Sequence, residues 1–226
     1  MSWLFVIILC LIILLLLIYW QFIIAEGTYL GQGVVTFLYD WYALQYDAIK
    51  EFDEADEITW LGLPLFNVIS DDFEGIILDV ATGTGRLPRV MNRIPNFKGN
   101  VIGLDYSKKM IMVARQHVPG VPMVIADAMH LPFADESIPV VSCLEAMEFF
   151  PVPAQCLEEM VRVLAPHGVL LTTNRIGWET KFLPHRTWSA FELLTMLDQM
   201  PLMDIAIIPW ENIYDQVWAR KKELYR

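Results

Sequence analysis

Residues 76–86, Ile-Ile-Leu-Asp-Val-Ala-Thr-Gly-Thr-Gly-Arg, constrain the fold more than any other stretch of the chain. Ile76, Ile77, Leu78 and Val80 form a short apolar run, the pattern of a strand covered on both faces. Gly83 and Gly85 follow at once and leave the backbone of the next turn bare. A strand that enters a Gly-x-Gly turn and then a helix opens an α/β sheet, where ligands lie against the main chain at the carboxyl ends of strands. The position at which a dinucleotide fingerprint carries its third glycine is Pro88. Asp79 stands inside the strand end, where a carboxylate repels a pyrophosphate and suits a cationic amine or a ribose. The pattern predicts a nucleoside ligand with a positive group and no phosphates.

Two more apolar runs end in acids. Residues 101–105 end in Asp105, 26 positions after Asp79, and Tyr106-Ser107 then open a helix over 108–117. An acid at the end of the second strand is placed to accept hydrogen bonds from ribose hydroxyls; the alternative is a helix cap. Residues 123–128 form a third strand ending in Asp127, which is placed to accept from the exocyclic amine of a base. Three strand-terminal acids side by side each read a different part of one nucleoside.

Residues 78–85, 101–107 and 126–133 resemble class I S-adenosylmethionine-dependent methyltransferases, most nearly the small-molecule branch that includes the ubiquinone- and menaquinone-biosynthesis enzymes. Residues 137–148 resemble that family's fourth strand and loop, and 157–171 its next helix, turn and fifth strand. The resemblance covers roughly residues 70–226. It implies an α/β, Rossmann-like seven-stranded sheet, mostly parallel with an antiparallel last strand, and S-adenosylmethionine as cofactor. It assigns Asp79, Gly83 and Gly85 to the methionine part, Asp105 to the ribose and Asp127 to the adenine amine. Ala128 and Met129 surround the base, and Ala81 and Tyr106 complete the implied cofactor-binding positions. Glu145 lies where the family contacts methionine or acceptor, with a solvated loop acid as the alternative. The family's Pro-Gly-Gly turn is Pro166-His167-Gly168 here, and Gly168 is expected to take the left-handed position.

Methyl transfer from a sulfonium is a displacement on an activated carbon, so alignment and exclusion of water do most of the work. An oxygen or carbon acceptor also calls for a general base. His130, Glu145, Glu148 and His185 are the candidates, and no spacing selects among them. The four His and three Cys form neither a metal-ligand pattern nor a disulfide framework, and Cys143 reads as core.

The chain start is the second informative feature. Residues 3–20 carry no charge and no strongly polar side chain, and the first charge is Glu26. Such a run, lengthened by 22–25, is long enough to cross a hydrocarbon core of ~30 Å. Trp3 at one end and Tyr19-Trp20 at the other resemble interfacial anchors. A cleaved signal peptide, the main rival, wants a positive n-region, a shorter core and a small-residue cleavage site. The expected division is a transmembrane anchor over 1–25, a linker with lid helices over 26–70 and a methyltransferase domain over 71–226. The first Lys is Lys50, so charge gives no orientation; a cytoplasmic catalytic domain is expected because the methyl donor is a cytosolic metabolite.

The net charge of −11 disfavours a nucleic-acid substrate, and no polybasic patch serves anionic lipid. Gly27, Gly31 and Gly33 read as a flexible exit from the anchor, and 36–52 as one aromatic helix that closes over the cofactor or simply packs on the sheet. Residues 51–57 read as a solvated turn, 60–69 and 188–200 as helices, and 204–209 with 214–220 as a final hairpin. Residues 174–186 are expected to form an acceptor-facing lid. The chain reads as a membrane-anchored methyltransferase for a small lipophilic acceptor: a quinone precursor, a lipid, a phenol or a thiol. A nucleotide-dependent oxidoreductase and a non-catalytic methyltransferase-like scaffold are the alternatives, separable by cofactor titration and by turnover.

Overall fold

The computed structural model describes residues 2–69 and 72–223, so the division expected between 70 and 71 lies outside the described residues. Seven strands form one sheet: β1 (Ile76–Val80), β2 (Asn100–Asp105), β3 (Met123–Ile125), β4 (Ile138–Cys143), β5 (Leu164–Arg175), β6 (Leu202–Trp210) and β7 (Tyr214–Lys221). Their spatial order is β3-β2-β1-β4-β5-β7-β6. The first five are parallel, and β7 runs antiparallel between β5 and β6. The chain leaves β1 towards β2 on one side and comes back to β4 on the other, so the strand order reverses beside β1.

Alternation along each strand feeds two cores. Leu78, Val80, Val141, Cys143 and Leu170 pack on one face against Cys156, Leu157, Met160, Leu193 and Leu197. The last five belong to α8 (Pro153–Val163) and α9 (Ala190–Asp198). On the other face, Ile77, Val101, Val140 and Leu171 pack against Leu61, Leu65, Leu87 and Met91. Each such aliphatic side chain contributes roughly 1.5–3 kcal/mol when taken out of water. Helix ends are satisfied locally. The Ser107 hydroxyl accepts from Met110 N at 3.0 Å at the start of α7 (Lys108–His117). Ser189 and Glu192 form a capping box on α9. The buried Lys221 ammonium donates to Val161 O and Leu164 O, both at 2.8 Å, at the carboxyl end of α8.

Ahead of the sheet, α1 (Ser2–Tyr19) runs into a wider turn at Trp20–Ile24, and the apolar helical stretch Trp3–Ile24 is 22 residues long with none of its most apolar window buried. The exit from it is not a free linker. Trp20 Nε1 donates to Phe182 O at 2.9 Å, Thr28 Oγ1 to Glu148 O at 3.2 Å and Tyr29 OH to Pro184 O at 2.9 Å. Gly33 lies inside α2 (Gln32–Tyr42).

The aromatic segment 36–52 is not one helix. A tight turn at Ala43–Gln45 separates α2 from α3 (Tyr46–Lys50). That turn seats Ala43 against Met110 and Val113 and keeps Tyr39, Tyr42 and Tyr46 within ring contact of one another. The expected solvated turn is half helix: α4 (Glu54–Glu57), capped by Asp53, continues through Ile58–Gly62 into α5 (Leu63–Ile69). The expected helix over 188–200 is shorter, because Ser189 caps it. At the turn before the bulk of β5, His167 rather than Gly168 takes the left-handed backbone, with φ 62°. Gly168 is needed for space instead: a Cβ there would lie 2.7 Å from Ala165 O and 2.8 Å from Pro139 O.

Candidate active site

The ends of β1, β2, β3 and β4 surround one cleft at the point where the strand order reverses. It spans about 720 Å³ with its open mouth included. Ala81, Gly83, Asp105, Tyr106, Ala126, Ala128 and Glu145 line it from the strand ends. Gln32, Val35, Thr36, Tyr39 and Tyr46 line it from α2 and α3. A smaller recess of about 340 Å³ adjoins it, shares Tyr46, Ala81, Gly83, Leu144 and Glu145, and reaches Asp79. The two hollows form a two-lobed groove over the Gly-x-Gly turn.

That turn is built for a close ligand. Gly83 has φ 55°, and the nearest atom to a Cβ placed there is Tyr46 Cε1 at 3.9 Å, so a side chain would project into the groove. Gly85 serves the scaffold. It opens α6 (Arg86–Arg93) with φ 86°, and a Cβ there would press on Val118 Cγ2 at 3.1 Å.

The three acids occupy three environments. Asp79 is buried and accepts from Thr82 Oγ1 at 2.6 Å and Ser142 Oγ at 2.8 Å. Burial pushes its carboxyl up to about 6, against the pull of those hydroxyls. Asp105 accepts from Gly83 N at 2.9 Å and from Ser107 N at 2.8 Å. Desolvation inside the cleft likewise pushes it up to about 6, although one edge stays open to the groove. Asp127 accepts from Met129 N at 3.0 Å and from Gln32 Nε2 at 3.5 Å, at the rim beside Ala126 and Ala128. Met129 itself packs on the core beneath that rim.

Glu145 is not a solvated loop acid. It is buried with φ 49°, and its N–H donates to Thr173 Oγ1 at 2.7 Å. Its carboxylate pairs with Arg86 and, at 2.9 Å, with Lys50. Burial alone would raise its pKa, but the two cations outweigh that and hold it below the usual carboxylate range. Arg86 also takes Glu57 in a two-pronged pair at 2.6 and 2.8 Å, reaches Glu211 at 3.0 Å and lies over the rings of Phe52 and Trp210. This network ties α3, α4, α6 and the β6–β7 turn to the wall of the groove. The sequence offered no sign of it beyond an arginine next to the second glycine.

The other proposed bases lie elsewhere. His130 is exposed outside the cleft, 4.0 Å from Asp127. His185 is exposed in a loop with φ 61°. Glu148 is buried behind Phe149, takes a hydrogen bond from Tyr214 OH, and has one carboxyl oxygen without a partner among the described residues. Burial raises its pKa, against the pull of Tyr214. The expected acceptor-facing lid over 174–186 lines neither hollow. Its short turn Trp178–Phe182 and Arg186 clasp the foot of α1 instead: Arg186 donates to Pro151 O at 2.7 Å and Thr28 O at 3.2 Å and lies over the ring of Tyr29.

Strand order, the inserted antiparallel β7 and a glycine turn at the reversal point together define the class I methyltransferase fold. Comparison with known proteins agrees. A family profile described as "Methyltransferase domain" matches residues 78–172. Proteins named demethylmenaquinone methyltransferase from Lactobacillus johnsonii and Chlorobaculum parvum are 34% and 41% identical over 46% and 44% of this chain. Those stretches are 49% and 41% of the relatives, so the chain spans about half, or less, of the length of the curated relatives it matches. The crystal structure of a SAM-dependent methyltransferase from Aquifex aeolicus superposes with a TM-score of 0.54 at 20% identity, covering 75% of this chain and 99% of that one. Residues 78–172 are thus similar to a methyltransferase domain, and the sheet that carries them has the class I methyltransferase fold.

Proposed function

We propose that the chain transfers a methyl group from S-adenosylmethionine to a small lipophilic acceptor while held at a membrane by α1. One observation carries the reading: a two-lobed groove over a bare glycine turn, with a buried acid at one end and an acid bridged to that turn in the middle. The recess beside Asp79 suits the cationic methionine end. Asp105 suits the ribose, and the Ala126–Ala128 rim with Asp127 suits the base. When bound, S-adenosylmethionine supplies a methyl carbon activated by positive sulfur; the acceptor's lone pair forms the new bond and sulfur keeps the broken one.

The chain's own residues orient and enclose. Tyr39 and Tyr46 close the groove from above and exclude water, and Gly83 lets the ligand reach the main chain. Glu145 is committed to Arg86 and Lys50, which makes it a brace for Leu144 and Ala146 rather than a proton acceptor. An acceptor that must lose a proton therefore needs another base; Glu148 is the buried candidate nearest the cleft wall.

The names of the relatives point to a quinone precursor as the acceptor class. Membrane attachment fits it, because the stretch Trp3–Ile24 keeps the domain beside lipid-dissolved molecules. A cytoplasmic face follows from where the methyl donor is made. Incubation of the whole chain with methyl-labelled S-adenosylmethionine and a membrane lipid extract tests the reading. Label moving into one lipid-soluble product supports it. Binding of the donor without transfer to any extract would favour a non-catalytic scaffold.

A further inference from the structure

The outer side of α2 is a feature that the groove does not use. Gln32, Val35, Thr36 and Tyr39 face inward to the cleft. On the opposite side Phe37 and Trp41 of α2, and Leu44 in the turn that follows it, are 67%, 77% and 78% exposed. A helix on a water-facing surface carries polar residues there. Here the charged side chains of α2 and α3 themselves turn away from this apolar stripe. Asp40 takes the Ser107 hydroxyl, Asp47 takes Thr84 and Arg89, and Lys50 takes Glu145.

The neighbour of this stripe is α1. Only residues 25–31 separate the apolar stretch Trp3–Ile24 from α2, and they span at most ~25 Å even when extended. They are also fastened down, by the Trp20, Thr28 and Tyr29 hydrogen bonds and by the stack of Trp20 on Tyr29 at 5.3 Å. The loop that receives two of those bonds presents more exposed aromatic surface, Trp178 and Phe182. Tryptophan is a side chain that settles at a lipid–water boundary, and Lys181 in the same turn is exposed beside it.

We infer that the outer face of α2 and the turn Trp178–Phe182 rest in the interfacial layer of the bilayer that α1 enters, so that a single helix separates lipid from the cofactor groove. The inference rests on the membrane reading of α1. The net charge of −11 opposes attraction to anionic lipid, so the contact is apolar, forms on neutral lipid and is insensitive to salt.

Spin labels on the whole chain, reconstituted in phosphatidylcholine vesicles, test it. Cys10 is replaced by serine, since Cys143 and Cys156 are buried, and single labels are introduced by F37C, W41C and, at an exposed turn before β2, K98C. Positions 37 and 41 are expected to collide several-fold more with oxygen than with a water-soluble nickel chelate, and position 98 the reverse, unchanged by added salt. A label at 41 as open to the chelate as that at 98, on protein that resists alkaline carbonate, overturns the inference and leaves the anchor standing. Protein stripped by carbonate overturns both. Protection of position 41 that depends on protein concentration in detergent would give the face to a second copy of the chain and also overturns it.

Discussion

Asp105 does two jobs with one carboxylate. It bridges the end of β2 to the glycine turn and leaves lone pairs facing the groove. Asp105→Ala is expected to weaken S-adenosylmethionine binding by tenfold or more, the loss of charged hydrogen bonds worth about 1.5–3 kcal/mol. Unchanged affinity by calorimetry would remove that role. Its pKa also sets a pH dependence. Asp79 and Asp105 are both raised from 3.8 to about 6, so between those values the folded protein binds more protons than the unfolded one. Their contribution to stability is therefore complete below the lower value and is lost as pH rises through the upper one. A cationic donor favours the ionised forms, so binding should tighten from pH 5 to 7 and level off above. Calorimetry in buffers of different ionisation enthalpy would register the proton release at pH 6. Arg86 is the counterpart among cations. Arg86→Leu strands Glu57 and Glu145 in a largely buried site, and a loss of about 3–5 kcal/mol is expected in denaturant titrations. None of these partnerships was visible in the sequence, because Arg86 meets residues 29, 59 and 125 positions away.

Elements with a strong local signature were legible; those shaped by distant contacts were not. The β1 turn, the acid ending β2, the helix over 108–117 and the final antiparallel pair all follow from runs of apolar residues closed by glycine, serine or acid. The split between α2 and α3 does not, since Ala43 turns there to meet Met110 and Val113 of a helix far along the chain. Segment 174–186 differs for a related reason: its carbonyls at Phe182 and Pro184 and its Arg186 side chain bind the exit from α1, a partner some 150 residues earlier. The turn at 166–168 failed on chemistry. Glycine was assigned to the left-handed position, yet close packing against Ala165 O and Pro139 O claims Gly168 and leaves the strained backbone to His167. His167→Gly should therefore raise the melting temperature, by relief of about 1 kcal/mol of strain partly offset by a freer unfolded chain. A lower melting temperature would mean that the histidine side chain outweighs the strain.

At the scale of the molecule, a sheet domain and an apolar helix meet at a narrow, well-bonded waist. Side chains from Trp3 to Ile18 are exposed, whereas Trp20 is hydrogen-bonded and Ala25 is buried. Deleting residues 1–18 should leave a folded domain whose melting temperature moves by no more than a few degrees, while a deletion through Ala25 lowers it further, at ~2–4 °C per kcal/mol lost. Equal melting temperatures for the two truncations would show that the waist contributes nothing. The Asp105 bridge has one more consequence at this scale. Because Gly83 is tethered to a neighbouring strand before any nucleoside arrives, that floor of the groove needs little rearrangement to receive one. Recognition there then draws little on chain entropy, and capture should be limited by how fast the tyrosine cover opens.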